Sequence, residues 1–196
     1  MRLIIGMSGA SGVIYGIRML EALQSIRDAE THVVLSNGAK LNIALETDWQ
    51  VKDVEALADV VHSDQNLAAT IASGSYPTDG MVIVPCSMKT LSGVANSYAD
   101  TLLVRAADVI LKEQRRLVLV PRETPLHVGH CRLLLEAAQT GAVIVPPMPA
   151  FYNDPQTVDD VINHTIGRLL DLFGIESGMV KRWKGAQRRN ARADSK

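Results

Sequence analysis

The sequence predicts an α/β protein, a single domain built on a doubly wound, Rossmann-like or flavodoxin-like parallel sheet of roughly five or six strands. Apolar runs of strand length alternate with segments of helical periodicity along the chain. The runs are apolar throughout, which is typical of strands that are covered by helices on both faces. The length of 196 residues fits one domain.

Five strands are predicted from the apolar runs at residues 3–7, 31–35, 81–85, 117–121 and 142–146. Helices are predicted at 13–27, 38–46, 51–60, 87–96, 100–114, 130–139 and 157–173. Three side chains are placed to cap helix amino termini, namely Ser87, Asp100 and Thr157. Asp159 and Asp160 fall in the first turn of the last helix, where the helix dipole favours negative charge.

The composition excludes several classes of protein. Apolar residues make up 47% of the chain, and 20 basic residues nearly balance 21 acidic ones, so neither nucleic acid nor a membrane is indicated as a partner. Cys86 and Cys131 are too few for a disulfide framework or a metal cluster. The first apolar run is too short for a secretion signal, and we expect a cytoplasmic protein. Residues 184–196 are predicted to form a disordered basic tail after a domain at 1–183.

A glycine-rich segment at 6–12 follows the first predicted strand. Ligands of doubly wound sheets bind where strands end, and glycines let the backbone approach an anion at a helix amino terminus. A dinucleotide motif is disfavoured, because Met7 stands where glycine is needed and Ser36 and Asn37 stand where an acidic residue is needed. A mononucleotide site fits better, and a tight turn without a ligand is the alternative.

Polar side chains follow the third predicted strand as well. Ser87 and Thr90 are three residues apart, so both can face a phosphate or a ribityl chain, although Ser87 can also serve only as a helix cap. Cys86 is interpreted as a small buried residue, since no base is placed to activate it. No His pair has metal-ligand spacing except His127 and His130, which are interpreted as the start of a helix, so no metal site is predicted.

Several charged residues are candidates for anion binding. Arg105 and Lys112 share one face of a predicted helix and are either surface residues or anion ligands. Arg122 and Glu123 follow a strand and can bind a phosphate and protonate it, or form a structural ion pair. Tyr152, after a proline-rich loop, can aim its hydroxyl into the same site. Arg168 can join it from the last helix.

Eight blocks in order resemble the UbiX-type flavin prenyltransferases over the chain to about Trp183. The blocks are MSGASG (7–12), LETD (45–48), ASGS (72–75), PCSMKTLSG (85–93), RAADVILKE (105–113), LVLVPRETPLH (117–127), PPMPAFYNDPQTVDDVI (146–162) and LDLFGIE (170–176). The resemblance implies a Rossmann-like homo-oligomer, usually a dodecamer. It also implies an enzyme that joins the dimethylallyl group of dimethylallyl monophosphate to N5 and C6 of reduced FMN without a metal. The product, prenylated FMN, would serve a UbiD-type decarboxylase.

The resemblance also implies roles for individual residues. The FMN contacts it implies are Gly9, Ala10, Ser11, Ser36, Ser87, Met88, Lys89, Thr90 and Arg122. The prenyl-phosphate pocket it implies consists of Lys112, Glu123, Tyr152 and Arg168, with Arg105 nearby. Ser11 and Glu46 would lie beside the flavin ring, where Glu46 takes a proton through Ser11, while Glu123 protonates the leaving oxygen. We expect Lys112, Tyr152 and Arg168 to converge beside the glycine loop and to replace magnesium.

One position departs from the family pattern. Leu67 stands where the family often has an aromatic residue, which bears on the prenyl chain accepted, whereas Trp183 matches a tryptophan that closes the site. Two other functions fit parts of the sequence. An FMN-dependent cysteine decarboxylase typically relies on a histidine, and no histidine follows a predicted strand directly here. A non-catalytic FMN carrier has no need of the cluster formed by Lys112, Glu123, Tyr152 and Arg168.

Overall fold

The computed structural model describes residues 1–183 and Gly185. A six-stranded parallel sheet forms its centre, with the strand order β3-β2-β1-β4-β5-β6. The strands are β1 (Arg2–Met7), β2 (Glu30–Leu35), β3 (Val60–Ser63), β4 (Gly80–Cys86), β5 (Arg116–Pro121) and β6 (Val143–Ile144). The chain therefore winds outward from β1 in both directions, which is the Rossmann-type order. The predicted doubly wound α/β class is confirmed.

Seven α-helices cover the two faces of the sheet in the described part of the chain. They are α1 (Val13–Gln24), α2 (Asn37–Glu46), α3 (Val51–Glu55), α4 (Met88–Ala95), α5 (Leu102–Lys112), α6 (Val128–Gln139) and α7 (Val158–Asp171). Helices α1, α2, α3 and α7 contribute to one buried core, and α4, α5 and α6 contribute to the other. Because successive side chains of a strand point to opposite faces, Leu3 and Ile5 join the first core and Ile4 joins the second.

The outer strands differ most from the sequence-based expectation. The helix predicted at 51–60 ends at Glu55, and Val60–Ser63 forms the edge strand β3. This prediction was wrong because β3 is short, half exposed and lacks an apolar run. The strand predicted at 142–146 is reduced to Val143–Ile144. The prolines that follow have no backbone N–H to donate to a neighbouring strand, so the strand does not continue through them.

Two of the predicted helix caps are confirmed and one is wrong. The Ser87 hydroxyl accepts a bond from the Thr90 N–H (3.3 Å), and Thr157 forms a capping box with Asp160. Asp100 is not the cap of α5, which begins after Thr101. The Asp64 carboxylate accepts a bond from the Leu103 N–H instead (2.9 Å), so a residue distant in sequence serves that helix.

The described residues include no helix that is both long and apolar enough to cross a bilayer. Over residues 1–183 and Gly185, no three or more His, Cys, Asp or Glu side chains form a group that could hold a metal ion. Apart from Gly185, the predicted basic tail at 184–196 lies outside the described residues.

Candidate functional site

A cleft of about 330 Å³ opens where β1, β2, β3 and β4 end, at the carboxyl edge of the sheet. We call it the carboxyl-edge cleft. Four residues predicted to contact FMN line it, namely Gly9, Ser36, Lys89 and Thr90. The structure thus brings together polar groups that the sequence scatters over about 80 residues, because parallel strands all end at the same edge.

The glycine loop approaches helix α2 more closely than side chains would permit. A Cβ atom on Gly38 would lie 2.8 Å from Cα of Gly9, and one on Gly9 would lie 3.1 Å from Cα of Gly38. The two bare backbones therefore pack directly together, and the loop backbone stays open toward the cleft. The next residues, Ala10 and Ser11, are buried and exposed respectively.

A buried serine joins the glycine loop to the loop after β4. The Ser8 hydroxyl donates to the Pro85 carbonyl (3.1 Å) and accepts from the Ser87 N–H (2.7 Å). The Ser87 hydroxyl in turn donates to Thr90 Oγ1 (3.1 Å). Met88, in the same turn, packs against the second core. These bonds hold the two loops in fixed relative positions.

Glu46 lies beside the glycine loop although it is 34 residues away in sequence. Its Oε2 accepts bonds from the N–H groups of Gly12 (2.8 Å) and Val13 (3.4 Å). Gly12 has a left-handed φ of 100° and no side chain to cap α1, so Glu46 satisfies these amide groups instead. The Glu46 carboxylate thereby lies beside Gly12, the residue that follows Ser11 in the chain.

Arg122 and Glu123 follow β5 at the same edge, and both are exposed. The Arg122 N–H donates to the Cys86 carbonyl (3.1 Å), and Glu123 Oε1 accepts from the Thr124 N–H (3.0 Å). No ion pair joins the two side chains, and within the described residues the Arg122 guanidinium forms none. The alternative of a structural Arg122–Glu123 ion pair is therefore not observed.

Cys86 is a buried structural residue, as its sequence context indicated. Its side chain is fully buried, and this burial raises the pKa of the thiol to about 12. The thiol therefore stays neutral and is not a nucleophile. Cys131 is exposed on α6.

Lys112 lies at the opposite edge of the sheet from the cleft. Helix α5 begins at the cleft, where Leu103 and Val104 line it. Lys112 is nine residues after Leu103, about 13 Å further along the helix axis. The next strand, β5, starts shortly afterwards at Arg116, so Lys112 lies near the edge where the strands begin. Its ammonium group pairs with Glu113 and holds the pKa of that carboxyl below its ordinary value.

Arg105 lies in the second turn of α5. Its guanidinium donates to Asp108 (2.8 Å) and to the Ala72 carbonyl (3.2 Å). It therefore connects α5 to the 3₁₀ turn at Thr70–Ala72. It lies on the same side of the sheet as Lys112.

Tyr152 and Arg168 lie on the other face of the sheet, with α1 and α7. The Tyr152 ring packs edge-on against Trp183, with ring centroids 5.5 Å apart. Arg168 pairs with Asp171 (2.7 Å), which also binds Arg182. Hydrogen bonds from Arg182 and then Arg168 hold the pKa of Asp171 below its ordinary value.

The expected convergence of Lys112, Tyr152 and Arg168 is wrong for a single chain. The sheet separates Lys112 on α5 from Arg168 on α7, because these helices pack on opposite faces. Local sequence patterns carry no information about which face a helix covers.

Comparison with known proteins identifies the family. The profile of the Flavoprotein family matches residues 1–169. The flavin prenyltransferase UbiX of Salmonella typhimurium is 59% identical over 187 residues, which cover 94% of this chain and 99% of that protein. The chain belongs to the UbiX flavin prenyltransferases.

Solved structures of UbiX proteins share the fold closely. A dodecameric FMN-dependent UbiX-like decarboxylase from Escherichia coli O157:H7 has a TM-score of 0.93 and 53% identity, covering 94% of this chain and 100% of that chain. AnUbiX (PadA1), solved with FMN and dimethylallyl pyrophosphate, also has a TM-score of 0.93, with 48% identity, covering 95% and 98%. Membership of the UbiX family does not favour the cysteine decarboxylase or the FMN carrier.

Sequence reasoning missed three positions in this UbiX family member. Asp64 and Gln65 line the carboxyl-edge cleft after β3, and they were overlooked because that strand was not predicted. Ser8 looked like one more residue of the glycine loop, and its burial was not evident.

Leu67, the position that departs from the family pattern, lies in the segment after β3, and its side chain is 52% exposed.

Proposed function

We propose that this chain transfers the dimethylallyl group of dimethylallyl monophosphate to reduced FMN, in the cytoplasm, without a metal ion. The prenylated FMN is passed to a UbiD-type decarboxylase. Family membership supports this reaction. The observation that carries it is the carboxyl-edge cleft, in which bare backbone at Gly9 meets the hydroxyl-bearing residues Ser36 and Thr90.

The residues present fit FMN. A Cβ on Gly38 would lie 2.8 Å from Cα of Gly9, so only glycines let the loop backbone, rather than side chains, form this wall of the cleft. Hydroxyl groups suit a ribityl chain, and Lys89 and Arg122, which form no ion pair with described residues, suit its phosphate. The proposed FMN contacts are Gly9, Ala10, Ser11, Ser36, Ser87, Met88, Lys89, Thr90 and Arg122.

The prenyl-phosphate pocket is proposed to form between copies of the chain. Lys112 and Arg168 lie on opposite faces of one sheet, so both reach one phosphate only if different copies supply them. Exposed apolar side chains support contacts between copies, since Val128 is 86% and Phe151 76% exposed. The dodecameric relative supports a homo-oligomer, and we propose a dodecamer here.

Cations replace magnesium in this pocket. A monophosphate is a poor leaving group, and Lys112 and Arg168 neutralise it while Tyr152 donates a hydrogen bond, with Arg105 nearby. Both cations are already paired with carboxylates on their own helix surfaces. Exposed pairs of this kind contribute only about 0–1 kcal/mol, so a phosphate can displace the carboxylates.

Two carboxyl groups move protons. Reduced FMN would supply two nucleophilic atoms. N5 would displace the phosphate from the allylic carbon and release its own proton, the double bond would take up one proton, and C6 would attack the tertiary carbon so formed and lose its proton. The two protons released, from N5 and C6, thus balance the two taken up, by the alkene and by the phosphate. Glu123 gives a proton to the leaving phosphate oxygen, and Glu46 accepts the proton released from C6 through the Ser11 hydroxyl. The bonds from Gly12 and Val13 hold the Glu46 carboxylate next to Ser11 for this purpose.

Anaerobic incubation with reduced FMN and dimethylallyl monophosphate, followed by mass spectrometry of the extracted flavin, tests the proposal. We expect a flavin that carries one dimethylallyl unit. Unchanged FMN would refute the reaction. Release of CO₂ from a cysteine-terminated peptide would instead identify a cysteine decarboxylase. Longer prenyl phosphates in parallel reactions test how Leu67 affects the chain length accepted.

A further inference from the structure

A buried histidine contacts Tyr152 from helix α7. His164 is only 7% exposed and lies one turn before Arg168. Its Nε2 is 3.2 Å from the Tyr152 hydroxyl, and the two rings meet edge-to-face at 82° with centroids 5.7 Å apart. Trp183 packs on the same tyrosine at 81°. The phenol ring is therefore in contact with both rings, and its hydroxyl is tied to His164.

The other ring nitrogen of His164 decides which group donates in this bond. His164 Nδ1 is buried and has no hydrogen-bond partner among the described residues. A neutral imidazole carries one N–H, and a buried N–H without an acceptor is rarer in proteins than an unpaired acceptor. The proton therefore belongs on Nε2, where it donates to Tyr152.

The surroundings disfavour the charged form of this imidazole. Burial, and then the charge of Arg168, lower the pKa of His164, while Asp171 acts in the opposite direction. Three further charged groups, Asp154 before α7, Asp160 on it and Lys181 after it, line the same cavity as His164. A doubly protonated ring would place a second N–H at the unpartnered Nδ1 position.

We propose that His164, as its Nε2–H tautomer, is a positioning residue that donates a hydrogen bond to Tyr152 and thereby directs the tyrosine proton to the phosphate of the prenyl substrate. This inference rests on the proposed function, in which Tyr152 contacts that phosphate. A phenol oxygen that accepts from His164 keeps its own proton for a second partner. With the opposite tautomer, the Tyr152 hydroxyl would donate its hydrogen bond to His164. It could then only accept a hydrogen bond from the substrate and could not donate one to the phosphate.

The tautomer is measured directly in the unmodified protein. Magic-angle-spinning NMR of the ¹⁵N-histidine-labelled oligomer distinguishes a protonated Nε2 from a protonated Nδ1, and the spectrum of His164→Gln assigns the signal. We expect the Nε2–H form. An Nδ1–H signal for His164 overturns the proposal. This measurement is independent of activity, so its outcome is distinct from that of the prenylation assay.

Two substitutions test the consequence for the substrate. His164→Phe keeps a ring but removes the donor, whereas His164→Gln keeps an N–H donor of similar reach on a flexible side chain. We expect His164→Phe to raise KM for dimethylallyl monophosphate about five-fold, the value of one neutral hydrogen bond, with FMN affinity unchanged, and His164→Gln to restore most of the loss.

A double-variant comparison tests whether His164 acts through Tyr152. If His164 acts through Tyr152, we expect the double variant His164→Phe/Tyr152→Phe to have the same KM for dimethylallyl monophosphate as Tyr152→Phe alone. A further five-fold rise means that His164 does not act through Tyr152.

Discussion

The carboxylate of Glu46 accepts a hydrogen bond from the backbone N–H of Gly12, with Oε2 and N 2.8 Å apart. The last residue of α2 thereby caps the first turn of α1, whose own cap position is a glycine. This contact connects two helices across the glycine loop. It also places a carboxylate beside Ser11, so one side chain serves both the fold and the proposed proton transfer.

Removal of this cap is expected to lower stability and activity together. Glu46→Ala should reduce the free energy of unfolding by about 1 kcal/mol, the typical contribution of an amino-terminal cap. Glu46→Gln keeps an acceptor oxygen and should lose less stability, yet both variants should lose prenylation because neither retains the base. Urea unfolding and mass spectrometry of the flavin measure the two effects. Glu21→Gln, which removes a surface pair with Arg18 on α1, serves as the control and should change stability by less than about 0.5 kcal/mol. Wild-type activity in Glu46→Gln would exclude Glu46 as the base.

Glu123→Gln is expected to bind FMN normally and to lose prenylation by about 100-fold or more, the usual contribution of a general acid. The Gln side chain still offers an oxygen to the Thr124 N–H, so the loop after β5 should keep its conformation. The mass of the extracted flavin measures turnover, and flavin fluorescence measures binding. Full turnover would remove Glu123 from the mechanism.

Mixing two inactive variants tests whether the site forms between copies. Lys112→Ala and Arg168→Ala should each abolish prenylation. If different copies supply the two residues, a mixed oligomer contains some sites with both residues intact. In a random assembly of equal amounts, each of the two copies at a site is the suitable variant half of the time, so about one quarter of the sites should be restored. Activity is measured on oligomers formed by co-expression. Mixed oligomers as inactive as their parents would mean that one copy supplies both residues.

A surface cluster at the amino edge of the sheet predicts a dependence of stability on pH. Hydrogen bonds from Arg2 and then His32 lower the pKa of Glu30 from 4.5 to about 2. A lowered carboxyl pKa adds stability above the unfolded value, and that stability is lost as the pH falls from 4.5 toward 2. Glu30→Gln should therefore lower Tm at neutral pH, and its difference from the wild type should shrink on acidification. Thermal melts at several pH values measure this, and a difference that stays constant would contradict it. Added salt should weaken the effect because the pair is partly exposed.

Much of the carboxyl-edge cleft was predictable because it follows from short-range patterns. The glycine loop, Ser36 and the turn at Ser87 each come directly after an apolar run, and parallel strands place such turns at one edge. Asp64 could not be found in this way, since β3 exposes half of its side chains and has no apolar run.

The sequence by itself determined the fold class, the order of most elements and four of the residues that line the cleft, because periodicity and strand-end position are local properties. Only the tertiary structure decided that Glu46 caps α1 and that His164 forms a hydrogen bond with Tyr152. It also decided that Lys112 and Arg168 lie on opposite faces of the sheet. These relationships depend on the face each crossover helix covers, which is settled by the packing of the whole chain.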